Sequence, residues 1–150
     1  MNELTVNNNA GLMEVSASEQ YCSFAPSTQE EKIRLFNAVM NPDERIKDHV
    51  NETITIKDFI VEIVTLDKKD ESGKTMVDDE TGEVIQQAAP RIIILDDKGK
   101  SYTATSIGMF SALKRIVGIF GEPNTWKKPV KVKIKMISRG TRNMLNLEMV

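Results

Sequence analysis

The chain holds one cysteine and one histidine in 150 residues. Cys22 alone excludes an intrachain disulfide, and with His49 it leaves too few ligands for the usual His/Cys zinc sites. No metal and no cofactor is expected. Long hydrophobic runs are missing as well: Ile92 to Leu95 and Ile116 to Phe120 fall far short of the roughly 20 apolar residues that cross a bilayer. The opening Met1-Asn2-Glu3-Leu4 has neither the basic start nor the apolar stretch of a secretory signal, so the cytoplasm is the expected compartment.

A catalytic constellation is missing too, and no enzyme is expected. His49 sits among Asp48, Val50 and Asn51 with no nucleophile motif nearby. Ser72-Gly73-Lys74-Thr75 ends like a phosphate-binding loop, but Lys68 stands where its first glycine belongs and no strand-to-helix passage surrounds it. Ile92 to Asp97 imitates a strand delivering a magnesium-binding acid. Ordinary turn chemistry at Asp97-Lys98-Gly99 explains it better. Asp78-Asp79 lies in a polar stretch between glycines, a poor platform for positioned metal ligands.

What the chain does have is charge, unevenly placed. Residues 1–97 carry nine basic and 20 acidic residues, whereas 98–150 carries 11 basic and two acidic, so a net charge of −2 hides a dipolar molecule. Between Lys98 and Arg142 the one acid is Glu122. Positive charge gathered on one part of a fold is the footprint of a surface that neutralises phosphates.

The length and the 40% hydrophobic content fit one domain with a sizeable core, taken as residues 26–150. Residues 1–25, with Asn7-Asn8-Asn9 and little apolar period, read as a flexible arm suited to self-association between copies. The Ser27/Glu30 spacing and the recurrence of Ile33, Phe36 and Met40 predict a helix over 28–40, ended by Asn41-Pro42. Ile54, Ile56, Phe59, Val61 and Ile63 form the first clear strand. Its apolar parity changes at Lys57-Asp58, as a β-bulge would make it.

Asp67 to Ala89 is acidic, holds Gly73 and Gly82, and reads as a long loop, with 75–77 and 83–85 able to pair as a small hairpin. Arg91–Leu95 and Ser101–Thr105 make a strand pair about a tight turn. Ser106 then caps a helix carrying Phe110, Leu113, Val117 and Phe120, ended near Gly121-Glu122-Pro123. Val130, Val132, Ile134 and Met136 alternate with Lys131, Lys133 and Lys135 in a fourth strand, and 145–150 supplies a fifth. Phe36, Phe110 and Phe120 fall on apolar helical positions and are expected in the core.

Five strands with a helix between the third and fourth is the order of an OB-fold, a partly open Greek-key barrel. The fold class is therefore mainly β: a five-stranded Greek-key β-barrel with helices, plus the N-terminal helix and arm. An α+β sandwich of the same local elements is the alternative.

Lys131, Lys133 and Lys135 share one face of a strand about 7 Å apart, close to the spacing of phosphates on an extended single strand. Alone, such a stripe also suits a solvated face or an edge strand guarded by lysines. Its setting favours phosphate: Lys127 and Lys128 precede it, Arg139 and Arg142 follow it, and a structural face would normally mix signs. Trp126, in a loop at the mouth of this strand, and Tyr102, beside Lys100, are candidate stacking surfaces for bases. Lys57, Arg91 and Lys100 would extend the path onto the first three strands, and Phe59 and Tyr21 are weaker aromatic candidates.

Phe36-Asn37-Ala38, the run from Ile94-Leu95-Asp96-Asp97-Lys98-Gly99-Lys100-Ser101-Tyr102 through Ile107-Gly108-Met109-Phe110, and Ile119-Phe120-Gly121-Glu122-Pro123 resemble a known group. They are similar to the small single-stranded DNA-binding proteins of phages and conjugative plasmids of Gram-positive bacteria, over about residues 30–138. The resemblance implies an OB-fold protein in the bacterial host cell. Such a protein coats single-stranded DNA during replication or transfer. Backbone charge and stacking tolerate any sequence, so no sequence specificity is expected, and the polar arm suits a homo-oligomer along the DNA. The chain ends in Asn146-Leu147-Glu148-Met149-Val150, so recruitment of enzymes through a flexible acidic tail is not expected. DNA and RNA are not distinguished by these residues. A rival reading is an adaptor or inhibitor whose basic sheet docks on an acidic protein partner.

Overall fold

The computed structural model describes residues 5–6, 19–140 and 142–150, with the backbone alone at 5, 6, 19, 139 and 142. The protein is mainly β, a sheet curled into a half-barrel with two helices. In chain order the described elements are β1 (Thr5–Val6), β2 (Glu19–Cys22), α1 (Gln29–Met40), β3 (Glu44–Arg45), β4 (Thr53–Asp67), β5 (Gln86–Asp96), β6 (Ser101–Thr105), α2 (Ile107–Phe120), β7 (Val130–Arg139) and β8 (Arg142–Met149). None of the described helices is long and apolar enough to cross a membrane.

The organising element is β4. Along its whole length after residue 56 it pairs antiparallel with β5. Its other edge takes two partners in turn: β7 over Thr53–Ile56, then β2 over Ile60–Glu62. Between the two lies the expected bulge, a register shift between Ile56 and Asp58. Ile54 and Ile56 before it and Phe59 and Val61 after it all enter one core, so the extra residue restores the inward face.

That core also takes Ile92 and Ile94 of β5, Val132 and Ile134 of β7, and Met109, Leu113 and Ile116 of α2. The opposite face of β4 and β5 carries Ile60, Ile93 and Leu95, covered by α1 through Ala38, Leu35 and Val39. Because β5 is buried on both faces, its sequence is a continuous apolar run rather than an alternating one.

The cap of α1 is Thr28, whose hydroxyl accepts from the Glu31 amide, one residue later than the Ser27 spacing suggested. The apolar face also differs from expectation. Ile33, Phe36 and Met40 point outward, with Phe36 62% exposed. The helix carries two apolar stripes, and the one with small Ala38 at its centre lies against the sheet. Likewise Phe120 is exposed at the end of α2, whereas Phe110 packs on the core.

Two further expectations are corrected. Within the segment read as an arm, Glu19–Cys22 is a strand, and Tyr21 and Cys22 are buried. β4 supplies the backbone partners that its polar sequence does not advertise. Apart from Thr5–Val6, which pair parallel with β2, residues 1–18 lie outside the described residues. The stretch read as a loop from Asp67 to Ala89 is partly sheet: Thr65–Asp67 pair with Gln86–Ala88, so β4 and β5 project as a long ribbon. Its tip is held by Lys68, Met76 and Ile85 backbone hydrogen bonds and by a Val77–Val84 bridge.

Among the described residues β8 pairs with β7, and β6 pairs with β5 and β3. α2 leans on β8 so closely that a Cβ at Gly108 would collide with the Leu145 carbonyl oxygen.

Candidate nucleic-acid interface

β7 turns its alternation into two surfaces. Val132 and Ile134 are fully buried, which forces Lys131, Lys133 and Lys135 onto the outer face. On the β4 side Lys131 stands opposite Thr55 and Lys133 opposite Thr53. On the β8 side Lys133 stands opposite Glu148 and Lys135 opposite Asn146. The stripe is thus bordered mainly by short or uncharged side chains. Thr53 and Thr55 were missed from the sequence, although their alternation with Ile54 and Ile56 was the signal that placed them on that face.

Beyond the Pro129 end of β7 the positive surface continues around a cleft. Lys57, carried outward at the β4 bulge, meets Lys127, Lys128, Trp126, Asn124 and Asp58 about a cavity of about 260 Å³. The loop from α2 to β7 is firmly tied: Trp126 Nε1 donates to the Gly121 carbonyl at 2.8 Å, and Thr125 Oγ1 to that of Glu122 at 2.7 Å. The Tyr21 hydroxyl donates to the Glu122 carboxylate. Burial and that carboxylate both raise the Tyr21 phenol above its ordinary value, so it stays a neutral donor. Trp126 is therefore half-buried, with its N–H engaged, rather than a freely exposed ring.

Asp58 is the anion of this cleft. Ser23 Oγ donates to its Oδ1 at 2.9 Å and the Arg34 guanidinium lies 3.8 Å from its Oδ2. Burial raises the carboxyl, and Ser23 and Arg34 oppose that shift. Among the described residues none of Lys57, Lys127, Lys128, Lys131, Lys133 or Lys135 lies within 4.0 Å of a carboxylate oxygen. Six cations on one surface are left to solvent.

The other sequence candidates are engaged elsewhere. Phe59 is fully buried and stacks on Tyr21 with ring centroids 5.4 Å apart. Tyr102 is buried, donates to Asp96 at 3.3 Å and meets the His49 ring edge-on at 5.3 Å. Both are core residues, because their strand parity points them inward. Arg91 donates to Glu62 at 2.9 Å, and Lys100 lies 3.2 Å from Glu44, which holds its ammonium above its ordinary value. Arg139 and Arg142 stand opposite each other at the β7–β8 turn, and their side chains lie outside the described residues.

The two imitations of nucleotide motifs are turns. Asp70 Oδ1 accepts from the Ser72 and Lys74 amides and from the Ser72 hydroxyl, which folds Ser72-Gly73-Lys74 onto its own backbone. Asp96 Oδ1 accepts from the Lys98 and Lys100 amides in the same way.

A family model described as Phage Single-stranded DNA-binding protein matches residues 14–150. No curated protein and no solved structure matches the chain.

Proposed function

The chain belongs to the phage single-stranded DNA-binding protein family, and from that premise we propose that it coats single-stranded DNA along the outer face of β7 and the adjoining cleft, without sequence specificity, during phage replication. The observation that carries the assignment of the surface is the set of six lysines without a carboxylate partner among the described residues. A structural ion-pair face would have consumed them. The strand's phosphates run past Lys135, Lys133 and Lys131 to Lys57, Lys127 and Lys128, so backbone charge supplies most of the affinity.

The sheet supports this reading. We take β4, β5, β6, β7 and β8 as the five strands of an OB-type barrel with α2 between the third and fourth. The pairings β4–β5, β5–β6, β4–β7 and β7–β8 suit that order, and α2 packs on β5 and β8. The projecting β4–β5 ribbon carries seven acids against three lysines over residues 67–83, so it stands away from the strand or screens against duplex.

An electrophoretic titration with labelled single-stranded and duplex oligonucleotides of equal length, at two salt concentrations, tests the proposal. Expected are tighter binding of the single strand and weakening as salt rises. Undetectable or salt-independent binding contradicts it and moves the basic face to an acidic protein partner.

A further inference from the structure

We propose that the cleft beside Trp126 receives one nucleobase of the bound strand, turned out of the stack, while the phosphates on either side of it rest on Lys57, Lys127 and Lys128. The inference rests on the single-strand reading above and deepens it from a path to a subsite.

Size is the first argument. At about 260 Å³ the cavity lies just below the roughly 300–1,000 Å³ of ordinary small-molecule pockets, room for one ring system rather than a whole nucleotide. The second is shape and rigidity. Trp126, Pro123 and Pro129 supply flat apolar walls, and the indole is fixed by its hydrogen bond to Gly121 and its packing on the core. A ring held in place before binding loses little freedom when a base stacks on it.

The third argument is the order of charges. Lys57, Lys127 and Lys128 are exposed, whereas the Asp58 side chain is only 12% exposed and is positioned by Ser23 and Arg34. A fixed anion lining the cleft repels a phosphate from it, and exposed cations hold the phosphate outside. The part of a nucleotide that such a site admits is its uncharged base. Asn124 offers one amide donor group and one acceptor, which suit the edge of any base, so the subsite tolerates sequence.

Trp126 is the only tryptophan in the chain, so tryptophan emission reports this cleft alone. The full chain is titrated with an oligothymidylate and with an abasic deoxyribose-phosphate strand of equal length, following emission and electrophoretic mobility together. Both strands should shift mobility. The oligothymidylate should quench Trp126 and bind at least about fivefold more tightly, as one base–aromatic stack implies, and the abasic strand should leave the emission nearly unchanged. Equal quenching by the abasic strand, or an unchanged emission on oligothymidylate binding, overturns the subsite while leaving the lysine path standing. If neither strand shifts mobility, the single-strand reading itself fails and the subsite with it. Trp126→Leu, checked for folding by circular dichroism, should bring oligothymidylate affinity down to that of the abasic strand, and retained discrimination would count against the cleft.

Discussion

The two flanks of the sheet carry the same kinds of residue and use them differently. On the β5–β6 flank, Arg91, Lys100 and Tyr102 are held by Glu62, Glu44 and Asp96, and Phe59 of the neighbouring β4 is held in the core. On the β7 flank, six lysines have no carboxylate oxygen within 4.0 Å among the described residues, and Trp126 borders an open cleft. The difference is where the acids fall. Glu44 and Glu62 come from the acid-rich first part of the chain and are delivered to β5 and β6 by pairing, whereas β7 receives threonines from β4 and one acid, Glu148, from β8. Binding capacity follows from what the fold leaves unpaired, not from the number of cations.

Substitutions on each flank should separate the two. Phe59→Ala removes a fully buried ring and should cost about 3–5 kcal/mol of stability, read by denaturant unfolding. DNA affinity measured where the variant is still folded should stay near that of the parent protein. Replacing Lys131, Lys133 and Lys135 together by alanine should do the reverse. Stability should change little, and single-strand affinity should fall roughly 50-fold near 0.15 M salt, if three phosphate contacts are lost at ~0.7 of salt slope each. A variant that binds as before would erase the contrast between the flanks.

These opposite expectations also mark what was legible in the sequence. The strands β4 to β8, the bulge at Lys57-Asp58, both helices and the lysine face of β7 are local patterns of period 2 or 3.6, and local patterns survive folding, whereas β1, β2 and β3 are not legible there as strands. Partners 29 or 101 residues away do not show in a local pattern. Nothing near Arg91 announces Glu62, and nothing near Tyr21 announces Glu122. The outward stripe of α1 was misread for the same reason: Ile33-Phe36-Met40 and Leu35-Ala38-Val39 are both helical spacings, and only the sheet beneath decides between them. The strand at Glu19–Cys22 is set by the edge of β4, which its own polar residues do not reveal.

Smaller effects sharpen the comparison. Arg91→Ala leaves the largely buried Glu62 carboxylate without its charged donor, an expected loss of about 1–3 kcal/mol in stability, with single-strand affinity within about twofold of the parent. A large loss of affinity would return Arg91 to the binding path. Asp58 lies at the border of the flanks, and burial raises its carboxyl. Its contribution to stability is therefore full below the ordinary carboxylate range near 4 and is lost as pH rises through the raised value. Unfolding measured across that window should show this loss in the parent protein and a flatter profile in Asp58→Asn. An unchanged profile would remove Asp58 as its source.

The central claim is that the β7 flank, and not the β5–β6 flank, neutralises the phosphates. The slope of log K against log salt for a single-stranded oligonucleotide measures this directly. Six engaged lysines, at ~0.7 each, predict a slope near −4 in the parent protein. Replacing Lys131, Lys133 and Lys135 by alanine should reduce its magnitude by about 2, and replacing Arg91 and Lys100 should leave it unchanged. A slope that survives the β7 substitutions but collapses with Arg91 and Lys100 would contradict the account.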